Sequence, residues 1–122
     1  MNKRHIMPLA IETTDRKDSS TVITLQGQLI LGPDCTRLNH LIHSLIKGGR
    51  RHLVFDLAGV VQLDSTGIGQ FIDAYTSLEK TGGKMSISGA SGAVQDAFRV
   101  TRLDTVFQFV PSVDSAFETQ SS

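Results

Sequence analysis

The chain has 122 residues, enough for one domain with an ordinary core and too few for two. Twelve basic and twelve acidic side chains cancel, so no global charge draws it to nucleic acid or an anionic membrane, and any partner must be recognised locally. The single cysteine, Cys35, excludes an internal disulfide and the cysteine-rich metal frameworks.

Residues 1–8 carry charges but no apolar run long enough for a signal sequence, and no later stretch approaches a membrane span, so the chain reads as cytoplasmic. Together with the serine-rich end at 119–122, they are expected to be flexible termini around a domain at 9–118. Residues 9–14 read as a strand, 15–20 as a polar turn and 21–26 as a second strand, the two forming a hairpin. Residues 27–33, with Gly27 and Pro33 at their ends, break the pattern. Leu38, Leu41, Ile42, Leu45 and Ile46 then mark one face of a helix that Gly48 and Gly49 end. Cys35 fits the core side of that helix as a small apolar residue.

Residues 53–57 (Leu-Val-Phe-Asp-Leu) are apolar nearly throughout, as in a central strand covered on both faces, and 58–63 read as a loop. A helix follows, with Ile68, Phe71, Ile72, Tyr75 and Leu78 inward and Gln70, Asp73, Ser77 and Lys80 elsewhere around it. Gly82 and Gly83 stop it. Next come a strand at 84–88, a helix with Ala93, Val94, Ala97 and Phe98 inward, and a last strand at 106–110. Pro111 ends that strand, and Ser112 is placed to cap a short helix whose Ala116 and Phe117 cover the sheet. The order ββαβαβαβα predicts an α/β domain with a mostly parallel sheet and an antiparallel edge from the opening hairpin.

Asp64-Ser65-Thr66-Gly67 falls between the central strand and the second helix. Unpaired amides and the positive dipole end make a helix start favourable for negative charge, including a phosphate on Ser65. Asp64 and Ser65 are also preferred capping residues, so a purely structural role accounts for the same residue types. Thr66 offers a capping hydroxyl or a second phosphorylation site, and capping is the favoured role. Gly67 and Gly69 permit either helix–sheet packing or close approach of a partner.

Other chemistry is poorly supported. Residues 63–67 have the spacing of a nucleophile elbow, but Leu63 replaces its first glycine and His5, His40, His43 and His52 all precede Ser65. His40 and His43 lack the neighbouring cysteines or carboxylates of a metal site and read as surface histidines. Residues 81–84 (Thr-Gly-Gly-Lys) end a helix and lack the full phosphate-loop pattern. Asp56 lies late in the central strand, yet no acidic pair follows the first strand to hold magnesium, so it reads as structural. No metal, cofactor or catalytic residue is expected.

Taken in order, Gly27-Gln28-Leu29, the leucine- and isoleucine-rich helix, the strand at 53–57, Asp64-Ser65-Thr66-Gly67-Ile68-Gly69 and Gly82-Gly83 before a strand resemble a STAS domain of the anti-sigma factor antagonist family. The resemblance covers about residues 9–117. It implies a regulator without catalytic activity, phosphorylated at Ser65 by an anti-sigma factor that is itself a serine kinase. The unphosphorylated form would bind that kinase and free a sigma factor, and a PP2C-type phosphatase would restore it. Asp64, Ser65, Thr66, Gly67 and Gly69 would form the partner-binding surface. In the family an acidic residue often follows the Gly-x-Leu of the second strand; here Ile30 stands there and cannot bond a partner or help position magnesium. The resemblance equally admits an unphosphorylated STAS adaptor in a signalling or lipid-transport complex, with the same fold.

Overall fold

A computed structural model describes residues 9–16 and 18–118; the flexible termini expected at 1–8 and 119–122 lie outside them. Strands β1 (Ala10–Asp15) and β2 (Ser20–Leu29) form the antiparallel hairpin. Helix α1 (Pro33–Lys47) follows, then β3 (His52–Leu63), α2 (Ser65–Lys80), β4 (Lys84–Ser88), α3 (Gly92–Val100), a 3-10 turn (Leu103–Thr105), β5 (Gln108–Val110) and α4 (Ser115–Glu118). The five strands lie side by side in chain order, and β2 to β5 are parallel, which is the predicted mixed sheet.

Alternation along the strands divides the molecule into layers. Ile23, Leu25, Leu53, Phe55, Leu57, Met85 and Ile87 point to one face and bury against Leu38 and Ile42 of α1, Phe71 and Leu78 of α2, and Val94 and Phe98 of α3. Cys35 belongs to this core, where burial pushes its thiol up. Val22 and Val54 point the other way and meet Ala116 of α4, with Val110, Val113 and Phe117 around them. The final short helix therefore covers the sheet as expected, and the hydroxyl of Ser112 accepts the Ser115 N–H at its start (3.2 Å).

Two expected loops are strand. β2 continues through Gly27, which holds a left-handed φ of 112°, and β3 continues through 58–63 beside it, with Gln26 opposite Gly59 and Leu29 opposite Leu63. Two register shifts each leave one extra residue on β3, so side-chain parity changes along it. Leu57 and Val60 are consequently both buried although three apart. That broken alternation is what made residues 58–63 resemble a loop. Asp56 is structural there, its carboxylate accepting the Ala58 N–H at 3.1 Å.

Three further expectations are corrected. β5 begins at Gln108, because the 3-10 turn leads in and leaves Val106 exposed while burying Phe107. Ala93 is exposed on α3 and Ala97 is half-buried. Ile72 is 45 % exposed rather than inward, because the buried stripe of α2 is Gly67, Phe71, Ala74 and Leu78, and Ile72 sits about 100° around the helix from Phe71.

Candidate functional site

The continuation of β2 and β3 brings Leu29 and Leu63 together just before α2. Asp64 caps the helix in an extended conformation (φ −107°, ψ −175°). Its Oδ1 accepts the Gly67 N–H (2.9 Å) and its Oδ2 accepts the Leu31 N–H (2.9 Å), while the Asp64 N–H donates to the Leu29 carbonyl (3.3 Å). One carboxylate thus ties the first turn of α2 to the segment leading into α1.

Because Asp64 performs the capping, Ser65 is left as the first residue of the helix, exposed, with its hydroxyl bonded to no described residue. Thr66 is half-buried in the second helical position and does not cap, which corrects the role favoured for it. The two glycines separate cleanly. A Cβ at Gly67 would lie 2.3 Å from the Leu29 carbonyl oxygen and 2.7 Å from Leu63 Cδ1, so this buried residue lets α2 sit on the sheet end. A Cβ at Gly69 would meet nothing within 4 Å.

Helical spacing puts Ser65, Ile68, Gly69 and Ile72 on one side of α2, at i, i+3, i+4 and i+7. Ile68 is half-buried and Ile72 more exposed, so the serine heads a stripe with a small gap at Gly69 and an apolar end. Leu31, held by its amide to Asp64, is 76 % exposed. Sequence periodicity missed both Leu31 and the outward aspect of Ile72; the Asp64–Leu31 bond that draws the first to the helix spans 33 positions. Ile30 is half-buried directly after β2.

One helical turn beyond Gly69 on α2, the Asp73 carboxylate takes hydrogen bonds from Asn39 and His43 of α1, both at 3.1 Å. The His43 bond is the main reason its carboxyl lies below the ordinary range, with Asn39 next. His43 thereby serves as a clamp between helices, and His40 is exposed. Among the described residues no three histidine, cysteine or acidic groups are arranged to hold a metal. No helix among them is long and apolar enough to cross a membrane.

At the other end of the sheet lies a histidine whose role the sequence did not disclose. His52 is buried at the start of β3, shares a 2.9 Å hydrogen bond with Ser86 of β4, and packs against the Phe117 ring at 5.6 Å. Burial, reinforced by Lys84, brings its pKa down to about 4. Its partners stand 34 and 65 positions away, beyond any local motif.

Comparison with known proteins agrees with this architecture. The family model described as the STAS domain matches residues 10–116. An anti-sigma factor antagonist from Mycobacterium paratuberculosis is 23 % identical and superimposes with a TM-score of 0.79, covering 94 % of this chain and 97 % of its own. The anti-sigma factor antagonist SpoIIAA in its unphosphorylated form is 18 % identical, with a TM-score of 0.80 over 93 % of this chain and 98 % of its own. The Bacillus cell fate determinant SpoIIAA in the phosphorylated form is 18 % identical, with a TM-score of 0.74 over 90 % and 98 %. At these identities the likeness to the solved structures is one of fold.

Proposed function

Since the chain belongs to the STAS domain family, we propose that it is an anti-sigma factor antagonist switched by phosphorylation of Ser65. Its unphosphorylated form binds an anti-sigma factor with serine-kinase activity and so releases a sigma factor. The observation that carries this reading is the division of labour at α2, with Asp64 as the cap and the exposed Ser65 hydroxyl uncommitted. Ser65, Thr66 and Gly69 provide the contact surface, extended by Ile72, while Asp64 and Gly67 shape it from beneath.

The mechanism requires no refolding. Phosphorylation adds roughly −1.5 to −2 charges beside Asp64, where the helix amides tolerate an anion but a docked partner closes over it. A misplaced, partly desolvated phosphate readily weakens an interface a thousandfold, which is about 4 kcal/mol. A PP2C-type phosphatase resets the chain, and the chain itself supplies no catalytic group. The neighbour described as phosphorylated supports the reading by showing that this fold accommodates a phosphorylated form.

Incubation with the anti-sigma kinase and ATP, followed by mass mapping, is expected to place one phosphate on Ser65. Ser65→Ala is expected to prevent modification while keeping fold and binding, and Ser65→Glu to weaken binding. A chain that binds its partner but never acquires the phosphate is instead the unphosphorylated adaptor.

A further inference from the structure

Apart from the Ser65 surface, a cleft of about 540 Å³ opens between the ends of β4 and β5 and the side of α3. That volume is within the range of small-molecule pockets, roughly 300–1,000 Å³. Its floor is aromatic: Phe98 is buried, Phe109 is half-buried, and their rings meet edge to face at 5.2 Å with Ile87 alongside. The exposed Arg99 and Asp104 bring opposite charges to its lining, to which Gln95 adds an amide.

The two charges are differently committed. The Arg99 guanidinium is steadied by Asp96 at 2.5 Å, yet a guanidinium has five N–H donors and one bond leaves others available. Asp104 makes no ion pair among the described residues. A simple organic acid would meet the like charge of Asp104, and a simple amine the like charge of Arg99. A ligand carrying both charges answers both.

We propose that this cleft binds a small zwitterion of the amino-acid type, with an apolar side chain on Phe98 and Phe109, its carboxylate at Arg99 and its ammonium at Asp104. The site is independent of Ser65 and stands whether or not that serine is modified. Binding replaces water over the aromatic floor, while the two exposed charges select the ligand more than they hold it.

Amide NMR titration of the full chain with L-phenylalanine, phenylacetate and phenethylamine tests the proposal. L-phenylalanine is expected to produce saturating shifts confined to Gly89, Ala90, Gln95, Arg99, Asp104 and Phe109, and to bind about threefold or more tightly than either singly charged analogue. Asp104→Asn should abolish its advantage over phenylacetate, and Arg99→Gln its advantage over phenethylamine. Both side chains are exposed, so the fold tolerates these changes. Shifts that never saturate or scatter over the surface, equal affinities for the three compounds, or indifference to both substitutions would overturn it.

Discussion

Two serines of the molecule have opposite fates. Ser86, midway along β4 and opposite Val54 near the amino end of β3, is buried and shares its hydroxyl with His52, which Phe117 covers. Ser65, past the carboxyl end of β3, is exposed and its hydroxyl bonds to no described residue, because Asp64 has taken the capping role. A hydroxyl inside a satisfied buried network fastens elements together. One whose structural duty has passed to a neighbour is available for chemistry brought by a partner.

Acid should attack the fastened end most strongly. The folded His52 pKa of about 4 lies below its ordinary 6.5, so the unfolded chain takes up the proton first as pH falls. Its contribution is complete above about pH 6.5, declines between about 6.5 and 4, and levels off below, a loss on the order of 3 kcal/mol. Urea unfolding across that window should show the decline, and His52→Gln should flatten it. An equally steep decline in the variant would mean that His52 is not the group responsible.

The carboxyl end can be broken next. Gly67→Ala pushes a methyl at a backbone carbonyl that cannot turn aside, and overpacking of this kind should exceed the helical gain of alanine by about 2 kcal/mol in urea unfolding. Asp64→Ala removes the cap and the Leu31 bond, and an expected loss of about 1–2 kcal/mol should come with altered amide signals at both Leu31 and Gly67. Gly69→Ala reverses the sign. With open space around the new methyl, thermal unfolding should show a gain of up to about 1 kcal/mol, while affinity for the anti-sigma factor falls. A stabilised Gly69→Ala protein with undiminished affinity would remove Gly69 from the contact surface.

The difference between Gly67 and Gly69 also marks the limit of what periodicity conveys. The hairpin, the parallel core strands and the inner faces of the helices were legible because Ile23, Phe55, Phe71 and Phe98 recur at strand or helix spacing. The end of β3 was illegible because its extra residues break that spacing, and Ile72 was misassigned because the buried stripe is narrower than its apolar positions suggest. Ser65 could be singled out from its setting between strand and helix. Its freedom could not, since that depends on both oxygens of Asp64 being occupied, one by an amide from a distant segment.

A phosphate on Ser65 is expected to end partner binding without unfolding the domain. Calorimetric titration of the anti-sigma factor kinase with unmodified chain and with chain verified as phosphorylated at Ser65 measures this directly. An affinity loss of about a thousandfold, or about 4 kcal/mol, with an unchanged thermal transition is the predicted result. Equal affinity of the two forms would contradict the switch.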